Sequence, residues 1–444
     1  MPSRSEITYF GAGPALLPTS ILESASQALV NYQGTGLGLA EHSHRSPLAN
    51  QILADTKNNL KTLLDVPDDY EILFMQGGGS GEFSAVVYNM VGVWVERRRR
   101  KTELEVNANH ADLTPIEREQ EVTRRLRKQV DEDLQLDYIV TGSWSLKASQ
   151  EAARLLGPEH VNIAVDARAG HDGRFTHIPD EKTWSLTPTS AQGGKGAALV
   201  YYCDNETVDG VEFPAFPKCL EGNEGQDDDE RLVVADMSSN ILSRTVDVRK
   251  FALIFAGAQK NVGTTGITLV ILRKSLLPPH TASPPPALVR SLGLPLGPIV
   301  LDYATIAKNK SLYNTLSIFD VWIAGQVMGG LLTTFGNRKV AGMEDLADRK
   351  AVLLYEALEQ YPTVYQIVPD KPARSRMNLC FRVQGGDAEA ESEWLKGAED
   401  RGLMGLKGHR SVGGIRCSNY NSIPMKGAGK LAKYIEEYAQ NRRA

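Results

Sequence analysis

This 444-residue sequence predicts an α/β fold with a large, mostly parallel central sheet and a smaller α/β unit toward the C-terminus. Three observations support it. Short apolar runs rich in β-branched and aromatic residues alternate with helix-like segments, the pattern of strand–helix–strand units. Turns of small residues close the early runs. Chemistry-bearing residues fall at or just past the run ends, where sheets of this class gather ligands.

In chain order, the first strands are expected at 70–75 and 136–140, each followed by a helix, at 82–95 and 145–156. Further strands are expected at 161–165, 197–202, 232–235, 251–255 and 267–272. An apolar, glycine-punctuated helix over 317–335 then links to the smaller unit, with a helix at 349–360, a strand at 378–383 and a closing helix near 430–443. The expected division is a large domain over 20–330 and a small one built from 1–19 and 331–444. The proline-rich stretch 278–286 and the acidic, glycine-containing loop 222–230 read as surface connections. Residues 96–133 hold ten basic and ten acidic residues. They read as a solvated, partly helical excursion without a role in the site.

The bulk numbers exclude several classes. A net charge of −5 and a pI near 6.0 argue against nucleic acid or an anionic membrane as the main partner. No uninterrupted apolar run approaches the roughly 20 residues of a membrane span, and the N-terminal residues lack a signal-peptide core. The four cysteines, Cys203, Cys219, Cys380 and Cys417, show no paired spacing, so neither a metal site nor a disulfide framework is expected. A cytoplasmic enzyme is the expectation.

The segment Ala258-Gln-Lys-Asn-Val-Gly263 is the most informative. Lys260 lies in a tight turn between two apolar runs, among small residues. Burial disfavours the ammonium form of an amine, so such a lysine is a candidate Schiff-base nucleophile. Asp236 ends another apolar run. Together they offer what pyridoxal phosphate requires: an amine for its aldehyde and a carboxylate for its ring nitrogen. Gly77-Gly-Gly-Ser-Gly81 follows a strand and opens a helix, a geometry that turns backbone N–H groups toward a phosphate. It lacks the spacing of a Walker or dinucleotide loop. Trp144 could stack on a pyridine ring, and Thr207 could donate a hydroxyl to the cofactor. Three basic clusters complete the set: His42, His44 and Arg45; His409 and Arg410; and Arg416. Paired His-Arg dipeptides suggest a dianionic substrate, because arginine binds carboxylate and phosphate bidentately.

At these residues the chain resembles the phosphoserine aminotransferases, class V members of the fold-type I pyridoxal-phosphate transferases. The resemblance rests on Phe10-Gly-Ala-Gly-Pro14, Ser43-His-Arg-Ser46, Gly77-Gly-Gly-Ser-Gly-Glu-Phe83, Asn205-Glu-Thr-Val-Asp-Gly210, Ala235-Asp-Met-Ser-Ser239, Ala256-Gly-Ala-Gln-Lys-Asn261, Tyr313-Asn-Thr315, Ser375-Arg-Met-Asn378 and Lys407-Gly-His-Arg410. It implies that Lys260 holds the cofactor, Asp236 contacts its ring nitrogen and Trp144 stacks on the ring. Thr207 and Gln259 would contact its oxygen or phosphate, while Gly79 and Ser80 would bind the phosphate. Asn314 and Thr315 would reach that phosphate from a partner subunit, making the enzyme a homodimer. Arg416 would take the substrate α-carboxylate. His44 and Arg45 from the partner, with His409 and Arg410, would take the substrate phosphate or the glutamate γ-carboxylate. The chain departs from the family pattern at Ser80, where many bacterial members carry arginine, and at Ala12, where several carry serine.

The implied reaction is reversible transamination between L-glutamate and 3-phosphohydroxypyruvate. The rival readings are a related aminotransferase acting on unphosphorylated serine or alanine with glyoxylate, a cysteine desulfurase of the same fold, and a cofactor-binding scaffold using 96–133 as a docking arm. The two His-Arg pairs favour the phosphorylated substrate.

Overall fold

The structure, a computed structural model, describes residues 2–110, 112–189, 196–221 and 230–442. Its centre is a seven-stranded sheet. In chain order the strands are β1 (Tyr70–Met75), β2 (Leu136–Val140), β3 (Val161–Asp166), β4 (Leu199–Cys203), β5 (Val233–Asp236), β6 (Leu253–Gly257) and β7 (Thr268–Arg273). Across the sheet they run β1-β7-β6-β5-β4-β2-β3. β7 is antiparallel to both of its neighbours, and every other pairing is parallel.

Side chains alternate across a strand, so a strand covered on both faces is apolar at nearly every position. Here Leu73, Val234, Phe255 and Val270 enter the core on one face. Their neighbours Phe74, Ala235, Ile254 and Leu269 enter the core on the other. All seven expected strands are present, two with the expected ends and five with ends shifted by one or two residues. The run 251–255 becomes strand only at Leu253, because a 3-10 turn over Val248–Lys250, capped by Asp247, delivers the chain to the sheet.

The expectation for residues 96–133 is corrected. The helix after β1 runs unbroken over Gly78–Asn109 and is followed by a second, Pro115–Asp133, whose N-terminus is capped by Thr114 and Glu117. The two form a hairpin, and Val106, Val122, Leu126 and Val130 join the same buried cluster as Val87 and Val91. The apolar positions 122, 126 and 130 recur every fourth residue, one face of a helix. They are so diluted by charge that the segment reads as solvated. Much of that charge is paired: Glu96 accepts from Arg99 and Arg100, and Glu121 from Arg124 and Arg125.

The helix Ile318–Phe335 is apolar enough, with the helical stretch that follows it, to cross a membrane by composition. In the fold it is a core helix: Val321, Ala324 and Met328 are buried among the residues of Pro47–Leu64. Asn59 donates to the Gly325 carbonyl at 3.1 Å. A Cβ at Gly325 would meet the Thr56 hydroxyl at 2.5 Å, so only glycine permits this approach. The C-terminal elements form an antiparallel sheet in the order Tyr365–Ile367, Asn378–Val383, Ile415–Ser418, flanked by the helices Lys339–Glu359, Ala388–Glu399 and Met425–Asn441. The N-terminal segment joins them: Thr8–Tyr9 pairs with Leu403–Met404, and Phe10 is fully buried in their core. Of the loop 222–230, only Glu230 lies within the described residues; it is half-buried, and its carboxylate pairs with Arg273 at 2.9 Å.

Candidate active site

Successive parallel strands deliver their C-terminal residues to one cavity of about 370 Å³. β1 leads into Gly77–Ser80, β2 into Trp144 and β4 into Asn205 and Thr207; β5 ends at Asp236, and β6 leads into Gln259 and Lys260. Ala12 and Gly13 form one wall, and His409 and Arg416 enter from the C-terminal sheet. Nine of the residues singled out from the sequence therefore converge: Gly79, Ser80, Trp144, Thr207, Asp236, Gln259, Lys260, His409 and Arg416.

Lys260 is 9% exposed, carried by the turn between the antiparallel strands β6 and β7. Its Nζ donates to Thr207 Oγ1 at 2.9 Å. Asp236 is buried, with Oδ1 accepting from the Ser238 N–H at 2.8 Å. Burial raises the pKa of Asp236, opposed by its hydrogen bond to Ser238 and by the charge of Lys260. A cationic group placed against the carboxylate would further favour its ionised form.

The glycine turn is built for close approach. Gly77 and Gly78 both take positive φ, +117° and +62°, values that side chains resist. Gly78 N–H is satisfied by Thr268 Oγ1 at 3.0 Å and Gly81 N–H by the Gly77 carbonyl. Among the described residues the N–H groups of Gly79 and Ser80 have no partner within the chain. Two free N–H groups at the start of a 32-residue helix form an anion site. The residues thus fit a phosphorylated pyridine aldehyde: an amine, a carboxylate, an aromatic face and a phosphate cradle share one cavity.

Residues not singled out from the sequence complete the arrangement. Glu206 is fully buried and caps the helix Ser143–Leu156, accepting from the Trp144 and Ser145 N–H groups, both at 2.8 Å, and from Ser145 Oγ at 2.6 Å. Asp209 accepts from Ser143 N–H at 2.7 Å. The carboxyls that fix Trp144 thus flank Thr207, the partner of Lys260. Burial, reinforced by Asp209, pushes Glu206 up to about 8 despite those hydrogen bonds. Asn205 donates to Ser239 Oγ at 2.7 Å and to Asn378 Oδ1 at 2.8 Å, tying the cavity floor to the C-terminal sheet. Ser238 Oγ accepts from Gly257 N–H at 3.0 Å, holding the end of β6. These polar residues lie inside the quoted segments 205–210, 235–239 and 375–378, but their individual roles follow only from their partners in the fold.

The cavity mouth is cationic. Burial and the neighbouring charges of Arg416, Lys147 and Arg410 lower the pKa of His409. Arg416 Nη1 donates to the Thr207 carbonyl at 3.3 Å, while its Nε is buried without a partner. Lys147 sits 4.3 Å from the centroid of the Trp144 ring. Five expected site residues do not line the cavity of this chain. Arg410 and Arg45 are exposed, and His44 is half-buried with Nε2 unpartnered. Thr315 is exposed, and Asn314 donates to Gln76 Oε1 at 2.5 Å on the outer side of the glycine turn.

A buried lysine sharing a cavity with a carboxylate, at the C-terminal edge of this sheet, defines the class of pyridoxal-phosphate-dependent enzymes. The profile of the aminotransferase class-V family matches residues 7–141 and 122–423, and the chain belongs to that family. Within it, the chain belongs to the phosphoserine aminotransferases. It is 38% identical to the phosphoserine aminotransferase of Saccharomyces cerevisiae over 437 residues, covering 98% of each chain. It is 37% identical to that of Drosophila melanogaster, covering 98% of this chain and 99% of the other. The solved PLP-bound phosphoserine aminotransferase of Trichomonas vaginalis superposes with a TM-score of 0.75 at 32% identity, covering 96% of this chain and 99% of that one.

Proposed function

We propose that this chain catalyses reversible amino transfer between L-glutamate and 3-phosphohydroxypyruvate, yielding 2-oxoglutarate and O-phospho-L-serine, with pyridoxal phosphate held on Lys260. The observation that carries the reading is the buried Lys260 amine sharing a cavity with Asp236 and a free helix N-terminus. When bound, the cofactor supplies an electron sink for negative charge at the substrate α-carbon.

The protein residues do the rest. Asp236 would hold the cofactor's ring nitrogen and favour its protonated form. Trp144 would cover one face of the ring, and Thr207 and Gln259 would hold its polar substituents. The N–H groups of Gly79 and Ser80 take the cofactor phosphate, completed by Asn314 and Thr315 of the partner subunit. The Lys260 amine moves the proton to and from the substrate α-carbon. Arg416 orients the α-carboxylate. His409 and Arg410, with His44 and Arg45 of the partner subunit, bind either a phosphate or a γ-carboxylate, which lets one site serve both half-reactions.

The working form in this reading is a cytoplasmic homodimer. His44, Arg45, Asn314 and Thr315 stand outside the cavity of their own chain, as residues serving a second copy would. The test is a coupled assay with phosphoserine and 2-oxoglutarate, run beside serine or alanine with glyoxylate. Turnover of phosphoserine is expected; turnover confined to the unphosphorylated amino acids would replace the proposed substrate. Sedimentation of the holoenzyme is expected to give a dimer.

A further inference from the structure

Lys350 stands apart from every group used so far. It lies on the helix Lys339–Glu359 and is 0% exposed. Its Nζ donates to the carbonyls of Tyr420 at 2.8 Å and Ile423 at 2.9 Å, with the Asn419 carbonyl at 3.5 Å. Among the described residues none of its partners is a carboxylate, and the titratable group nearest in its electrostatic surroundings is the buried Cys417 thiol. An ammonium in this setting is compensated only by carbonyl dipoles, and burial pushes its pKa down to about 7. A buried, acid-free cation is costly to keep.

The loop that Lys350 gathers, residues 419–423, touches the candidate active site along three routes. Tyr420 OH donates to the Ala12 carbonyl at 2.9 Å, and Ala12 is part of the cavity wall. The same hydroxyl accepts from Asn378 Nδ2 at 3.2 Å, and Asn378 holds Asn205 on the cavity floor. Asn421 N–H donates to Asn261 Oδ1 at 3.0 Å, next in sequence to Lys260. Asn261 Nδ2 in turn donates to the Ile241 carbonyl at 3.0 Å, and Asn421 Nδ2 to the Leu242 carbonyl at 2.9 Å. The loop is therefore a clasp from the C-terminal elements onto the turn that carries Lys260.

We infer that Lys350 is a positioning residue: its ammonium holds the 419–423 loop in the shape that fixes Ala12, Asn205 and the Lys260 turn for cofactor binding. Without that cation the Tyr420 and Ile423 carbonyls lose their buried donor and turn elsewhere, and the loop cannot keep all three contacts. The inference rests on the proposed binding of pyridoxal phosphate.

The test uses cofactor-free full-length protein titrated with pyridoxal phosphate and read by quenching of tryptophan fluorescence. Parent protein that fails to bind would overturn the functional reading itself. With the parent binding, Lys350→Met is expected to weaken cofactor affinity at least tenfold. Amide exchange should quicken at Asn421 but not along Lys339–Glu359; exchange quickened everywhere would mark plain destabilisation and overturn the inference. Tyr420→Phe, which removes only the hydroxyl that reaches Ala12 and Asn378, provides a route should Lys350→Met not fold. It is expected to weaken affinity at least threefold, and the double variant to bind no more weakly than Lys350→Met alone, since both act through one loop. Cofactor affinity within twofold of the parent in either folded single variant overturns the inference.

Discussion

Lys260 donates to Thr207 at 2.9 Å across 53 residues of sequence, and Thr207 lies between the two carboxyls, Glu206 and Asp209, that hold the helix of Trp144. The amine and the aromatic face are thus positioned by one short segment. A shift of 205–209 would displace both together, which makes the segment a natural target for testing the site.

Replacing Lys260 with alanine removes the amine while leaving the cavity walls in place. Turnover is expected to fall by on the order of a thousandfold or more, equivalent to about 4 kcal/mol of barrier. The absorption band of cofactor bound to Lys260 should vanish with it. Normal turnover in this variant would show that another group does its work.

Arg416 projects an Nε that is buried and unpartnered, a donor without an acceptor inside the chain. Arg416→Ala is expected to raise KM for both glutamate and the keto acid by roughly tenfold to a hundredfold, the scale of one bidentate charged contact. The effect on kcat should be smaller. Steady-state kinetics with each substrate varied in turn would check this, and an unchanged KM would remove Arg416 from substrate binding.

Glu82 offers a pH test of the fold. It is fully buried behind the glycine turn, hydrogen-bonded to Tyr303 OH at 2.8 Å, and burial pushes it up to about 8 from an ordinary 4.5. A carboxyl with a raised folded pKa holds its proton where the unfolded chain has released it. Its favourable contribution is therefore complete below pH 4.5 and declines as pH rises toward 8, by roughly 1.4 kcal/mol per pH unit within that window. Glu82→Gln should flatten this decline in denaturant titrations compared with the parent at matched cofactor saturation. An unchanged slope would show that Glu82 ionises normally.

The helical hairpin makes a claim of its own. Leu126 is 0% exposed and lies in the core beside the sheet. Leu126→Ala is expected to cost about 2–4 kcal/mol of stability while KM for both substrates stays put. A loss under about 0.5 kcal/mol, the scale of a surface change, would return the segment to the solvated excursion that its charge suggests.

The strands and the chemistry at their ends were readable from local patterning alone. A strand buried on both faces is apolar at nearly every position, so β1 and β2, each holding a single acid, were legible to the residue. A lysine and an aspartate are conspicuous where such runs stop, and the glycine turn announces itself because side chains cannot adopt its backbone. Everything held by contacts between distant segments emerged only in the folded chain. Glu206 under Trp144, Asn205 against Asn378 and Lys350 beneath the 419–423 loop are common polar residues whose meaning comes from their partners, up to 173 residues away. The hairpin over 96–133 belongs with them, because burial of Val122, Leu126 and Val130 depends on a neighbouring helix that local charge conceals. Local patterning sets which segments can be buried; partners brought from elsewhere in the chain set which polar groups can be buried with them.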